Sequence, residues 1–146
     1  MASLTEQCEI AAHGSTRKAD PYERSNLTKN QLQVWIGQAL VPEAPVYHLA
    51  GILNITGEID PTHFQKAFQT LINSSDALRT VLEETDGVPR QKVIQPFPYS
   101  VEYLDFSSLP DPRSEAKTWA HKSCQSPFNL QQRLFDSVLI KTSAKE

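Results

Sequence analysis

A chain of 146 residues, 39% hydrophobic and 21% charged, is long enough for one domain with a core and too short for two. A formal net charge of -3, with no lysine or arginine cluster to track phosphates, excludes nucleic acid as the main partner. No apolar run approaches the length of a membrane span. Met1-Ala2-Ser3-Leu4-Thr5-Glu6-Gln7 has neither the basic start nor the apolar stretch of a secretory leader. Cys8 and Cys124 stand far apart in sequence and read as reduced thiols, so a cytoplasmic protein is expected.

Residues 1–26 are polar, aperiodic and of mixed charge, which predicts a flexible lead-in ahead of a domain over residues 27–146. Thr28 and Gln31 have the spacing of a capping box. Leu32, Trp35, Ile36, Ala39 and Leu40 follow at helical spacing, and Pro42 forbids continuation. A helix is expected over 28–40. Residues 47–56 are apolar on both faces (Leu49, Leu53 and Ile55 against Ala50 and Ile52), the pattern of a strand covered on both sides. Asp60 and Pro61 open a second helix, 61–73, whose apolar face is Phe64, Ala67, Phe68, Leu71 and Ile72. A hairpin follows, with strands 78–84 and 90–94 around Asp86-Gly87. Tyr99, Val101 and Tyr103 alternate with polar residues as a half-exposed strand. Asp111-Pro112 starts a third helix, 112–124, presenting Ala116, Trp119, Ala120 and Cys124, and residues 134–141 form a last strand. The expected fold class is α+β, with three helices on a mixed sheet and Trp35, Phe64, Phe68, Leu71 and Trp119 largely buried.

The chemistry in this pattern is sparse. His13, His48, His63 and His121 are scattered, with no metal-ligand spacing to a cysteine or carboxylate. His121 and Cys124 stand three apart on one helix, the spacing of a base beside a thiol. Cys124 belongs to the apolar face and His121 lies off it, so a small buried hydrophobe beside a surface histidine is the preferred reading. Arg79 is the charged residue that stands out. It lies in the strand-like run Leu78-Arg79-Thr80-Val81-Leu82, where an unpaired charge is costly. Either its head reaches solvent or it meets a carboxylate, with Asp76 and Glu83 as local candidates. The five glycines are not grouped, so no phosphate-binding loop is expected.

Several short runs resemble one family. Thr28, Gln31 and Trp35 match the first motif of nonribosomal peptide synthetase condensation domains, LSxAQxRLW, with departures at Asn30, Gln33 and Val34. Leu78, Arg79 and Thr80 match the second, RHExLRTxF, with Asp76 a conservative change and departures at Ser74, Ser75 and Leu82. Pro127-Phe128-Asn129-Leu130 followed by Leu134-Phe135 is similar to the family's PFDL…PLF stretch, with Arg133 at the proline position. The runs occur in family order, and the resemblance covers residues 27–146. It implies the chloramphenicol acetyltransferase-like fold, of which this chain would form the early part of the first lobe. It also implies amide formation between thioesters carried on the phosphopantetheine arms of carrier proteins, with no cofactor bound directly. The family's catalytic histidine lies in HHxxxDG, a motif that does not occur in these 146 residues. No catalytic residue is therefore assigned in this chain. Arg79 is implied to be a structural residue that pairs with the aspartate of HHxxxDG.

The chain is accordingly expected to be an N-terminal portion of a condensation domain, inactive alone, with carrier proteins and the remainder of the domain as partners. The edge of strand 134–141 should be open, which predicts self-association. The alternative expectation is a stand-alone interaction module that binds a synthetase or carrier protein. An unrelated cysteine hydrolase is a third and weaker one.

Overall fold

The computed structural model describes residues 21–143. Of the expected lead-in, residues 1–20, with Cys8 and His13, lie outside the described residues. Residues 21–26 are structured. Pro21–Arg24 form a 3-10 turn, the Ser25 hydroxyl donates to Pro89 O (2.6 Å), and the Asn26 amide both donates to Gln91 O and accepts from Gln91 N–H. The composition of this stretch predicts mobility, yet its small polar side chains occupy main-chain groups that a neighbouring strand would otherwise use.

Helix α1 spans Lys29–Leu40, and Thr28 and Gln31 form the expected reciprocal capping box. Gly37 lies in this helix where the Tyr47 ring packs directly on its backbone; a β-carbon there would collide with the Tyr47 hydroxyl. Helix α2, Pro61–Ser74, is opened by Asp60, whose carboxylate accepts from Thr62 N–H (2.7 Å) and His63 N–H (3.2 Å). Strands β1, Thr80–Thr85, and β2, Val88–Val93, form the antiparallel hairpin. Its turn holds Asp86 at φ 53° and Gly87 at φ 74°, the paired left-handed residues that match strand twist. Strand β3, Glu102–Asp105, helix α3, Pro112–Ser123, and strand β4, Val138–Lys141, complete the order. β3 and β4 are parallel, in register Glu102 to Val138, with α3 as the crossover.

Two expectations are corrected. The fold is α+β with three helices, as expected, but among the described residues its strands form two separate two-stranded sheets and not one mixed sheet. Residues 47–56, expected to be a strand, run without regular secondary structure, and Leu49 and Leu53 are 101% and 88% exposed. Their apolar pattern does call for cover on both faces, but no described residue supplies it. The same shortage thins the core, whose buried hydrophobes among the described residues are Ile72, Val81, Val88 and Tyr99. Trp35, Phe64, Phe68 and Trp119 are only part-buried, and Leu71 is exposed.

What joins α2 to the segment ahead of β3 is a ladder of side-chain amides. Gln65 donates to Tyr99 O (2.6 Å) and accepts from Val101 N–H (2.7 Å). Gln69 donates to Phe97 O and accepts from Tyr99 N–H, both at 2.9 Å. Four residues of helix rise about 6 Å and two residues of strand about 6.8 Å, so the two repeats nearly match. The glutamines act as a surrogate strand.

Gln69→Met should therefore leave two half-buried backbone groups unpaired and cost about 1–3 kcal/mol in denaturant unfolding. Phe68 stacks with Phe64, Tyr99 and Phe135 at centroid distances of 5.5–6.2 Å. Because it is only part-buried, Phe68→Ala should cost about 2–3 kcal/mol, below the ~3–5 kcal/mol of an enclosed phenylalanine.

The hydrogen bonds from His63 and Thr62 hold the Asp60 carboxyl below its ordinary range. A depressed folded pKa stabilises above the unfolded value and loses that contribution as pH falls through the folded one. Asp60→Asn keeps an acceptor at the cap, so it should flatten the fall in stability as pH drops below the ordinary carboxylate value of 3.8.

Candidate functional site

Among the described residues there is an open cleft of about 1010 Å³. It is lined by the segment His48–Ile55, which has no regular secondary structure, and by β4. Phe64 and Phe68 of α2 and Trp119 and Cys124 of α3 also line it. The apolar faces that the helix periodicity assigns to a core thus face an open space.

The cleft is anchored at Tyr99, which is 6% exposed. Its hydroxyl donates to Asp136 Oδ1 (2.6 Å) and accepts from Ser137 N–H (2.7 Å). Arg133 reaches Asp136 at 3.1 Å and lies over the Tyr99 ring, 5.6 Å from its centroid. Burial, with the Asp136 carboxylate behind it, pushes the Tyr99 phenol up to about 12. The network fixes where β4 begins. Its neighbour, Pro127-Phe128-Asn129-Leu130, is a linking turn. Phe128 lies against the His48 ring at 4.4 Å and its N–H points to His48 Nε2 at 3.4 Å. Leu130 O accepts from Leu82 N–H of β1 at 2.8 Å, and Asn129 closes the turn through Gln131 N–H.

Arg79 ends a single 3-10 turn, Ala77–Arg79, just before β1. Its side chain is 14% exposed. One terminal nitrogen donates to Ile94 O (2.7 Å) and the other to Asp76 Oδ1 (2.5 Å). Its Nε is buried with no partner among the described residues. Of the two local carboxylates considered from the sequence, Asp76 is the one engaged; Glu83 pairs with Lys92 across the hairpin at 2.9 Å. His121 is exposed and does not line the cleft, whereas Cys124 is part-buried and does. The dyad reading gains no support from this placement. Among the described residues, no group of three or more His, Cys, Asp or Glu side chains is placed to hold a metal, and no helix is long and apolar enough to cross a membrane.

Sequence reasoning missed the roles of Tyr99, Asp136, Gln65 and Gln69. A tyrosine in an alternating strand and two glutamines four apart on a helix carry no distinctive local signal.

The family follows from comparison. The model of the Condensation domain family matches residues 23–146, and this chain belongs to that family. The starter condensation domain of rhizomide synthetase superimposes with a TM-score of 0.76 at 33% identity, covering 82% of this chain and 28% of that one. The first condensation domain of the calcium-dependent antibiotic synthetase, at 23% identity and TM-score 0.76, shares the fold over 83% of this chain and 30% of its own. By sequence, the chain is 30% identical over 106 residues to a dimodular nonribosomal peptide synthase of Bacillus subtilis (strain 168), covering 72% of this chain and 4% of that protein. It is 25% identical over 129 residues to the isonitrile lipopeptide synthase of Streptomyces coeruleorubidus, covering 87% of this chain and 9% of that protein. The chain thus spans a small fraction of these synthases and under a third of the solved domains.

Because the folded Tyr99 pKa is raised, its contribution is present below the unfolded value near 10 and is lost as pH climbs toward about 12. Tyr99→Phe should abolish that alkaline loss. It should also cost about 1–3 kcal/mol near neutral pH, because Asp136 and the Ser137 N–H lose a shared partner.

Proposed function

We propose that this chain supplies the N-terminal portion of a condensation domain that joins carrier-bound thioesters into an amide, and that it is inactive without the rest of that domain. The observation that carries this reading is Arg79. A guanidinium at 14% exposure with a buried, unpartnered Nε has donor capacity that the described residues do not use. Leaving a buried donor unsatisfied costs about 1–3 kcal/mol, so an acceptor from outside is favoured. A carboxylate is the natural one. The matched motif around Arg79 supports the aspartate of HHxxxDG, which would make Arg79 a positioning residue for the catalytic loop.

The substrates in this reading are acyl or aminoacyl groups on the phosphopantetheine arms of carrier proteins, and no other cofactor takes part. One of the rhizomide synthetase starter domain structures is a complex with C8-CoA, which supports thioester chemistry for relatives of this chain. The alternative of a stand-alone binding module has no specific observation in its favour.

The chain alone should form no amide from carrier-bound thioesters, and His121→Ala and Cys124→Ala should change nothing. A chimera that places residues 23–146 in the corresponding part of the rhizomide synthetase starter domain should form product. In that chimera Arg79→Ala should lower kcat by about 100-fold, the scale of a misplaced catalytic group, with little change in KM. Product from the isolated chain, or an Arg79→Ala chimera with full activity, would overturn the proposal.

A further inference from the structure

Asp76 stands at the start of the 3-10 turn Ala77–Arg79, where an aspartate ordinarily accepts from the first free backbone N–H groups. Here its side chain makes no such bond. The carboxylate turns to Arg79 instead and accepts from one terminal nitrogen at 2.5 Å. Main-chain atoms of the same two residues close the turn. Asp76 O accepts from Arg79 N–H (3.0 Å) and from the Thr80 hydroxyl (2.8 Å). Asp76 therefore holds Arg79 twice, at the backbone and at the guanidinium. Ile94, just beyond β2, does the same from the other side. Its N–H donates to Arg79 O (2.9 Å), and its O accepts from the second terminal nitrogen (2.7 Å).

A guanidinium is flat, so bonds to both terminal nitrogens fix its plane and with it the direction of Nε–H. With one bond removed, the head can turn about the other. The Ile94 bond is set by the backbone of the hairpin, and the Asp76 bond is the side-chain half of the grip. Stability does not account for that half. The Arg79 side chain is 14% exposed but that of Asp76 is 75% exposed, and an ion pair with so exposed a partner adds little. Nor does the carboxylate serve the turn as a cap. What remains for it is orientation.

We infer that Asp76 is a positioning residue for the condensation reaction, acting through Arg79: it orients the guanidinium so that the buried Nε–H meets the carboxylate that Arg79 holds in the whole domain. This rests on the reading under Proposed function. Glu83, the other carboxylate near Arg79 in sequence, takes no part, because Lys92 engages it across the hairpin.

The chimera of residues 23–146 with the rhizomide synthetase starter domain tests this by steady-state kinetics. Asp76→Ala should lower kcat by about tenfold and leave KM and the thermal midpoint unchanged. Asp76→Glu, which keeps a carboxylate, should recover kcat to within about threefold. In the Arg79→Ala chimera, adding Asp76→Ala should lower kcat by less than about twofold, since residues that act as one unit are not additive. Glu83→Gln should behave as the unaltered chimera. A second measurement needs no activity. In the 146-residue chain, the nitrogen–proton NMR signal of the Arg79 Nε should exchange with water at least ~10-fold faster after Asp76→Ala.

Full activity of Asp76→Ala beside an impaired Arg79→Ala overturns the inference and leaves the reading under Proposed function standing. So does a loss that adds to that of Arg79→Ala, a failure of Asp76→Glu to recover activity, or an Nε–H exchange that Asp76→Ala does not change. A chimera that forms no product, or one in which Arg79→Ala is fully active, overturns that reading and the inference with it.

Discussion

Tyr99 is the point on which the fold depends. Its backbone is gripped by Gln65 and Gln69 of α2, its ring is packed against Phe68 and Phe135, and its hydroxyl is held by Asp136 and Ser137. Through this one residue, α2 is tied to the run leading into β3 and to the start of β4. A two-stranded sheet has little stability of its own, and here there are two, so the connection between them must come from outside the strands. Hydrogen-bonded side chains supply it. Each of these bonds is worth about 1 kcal/mol net, but the partners are part-buried, which makes their loss more costly than their presence is favourable.

The cleft follows from the same arrangement. Tyr99 holds β4 in place while the Phe128–His48 contact and the Leu130–Leu82 hydrogen bond hold the PFNL turn between the hairpin and the extended segment. Apolar residues of α2 and α3, among them Phe64, Phe68 and Trp119, line the same cleft. The result is a half-built interior, with aromatic side chains from three directions around a space that the described residues leave unfilled. Exposed apolar surface of this extent is the mark of an interface and is rare on a self-sufficient monomer.

Arg79 shows how the chemistry would attach to this scaffold. It sits in a 3-10 turn between α2 and the hairpin, its two terminal nitrogens satisfied by Ile94 O and Asp76, and its Nε idle. A side chain that is held firmly by two bonds and still has a donor left is suited to orient a third group. Its proposed role belongs to positioning, and the described residues supply no candidate for the proton transfer itself.

Much of this was legible in the residues. The capping box at Thr28 and Gln31, Asp60 with Pro61, Asp111 with Pro112 and the Asp86-Gly87 turn are local devices, in which a few adjacent residues satisfy each other's backbone, so sequence alone places them. The motif runs around Arg79 and Phe128 likewise carried the family. What only the tertiary structure decided was non-local. Whether residues 47–56 form a strand depends on a neighbour and not on their own pattern, because a strand exists only when its peptide groups find another chain segment to bond. Ile72 is buried while Leu71 and much of the predicted core are not, because burial is set by what lies opposite. The Tyr99 node joins residues up to 38 apart in sequence, and such a contact has no local signature, since its energy comes from closing a loop that only the folded chain closes.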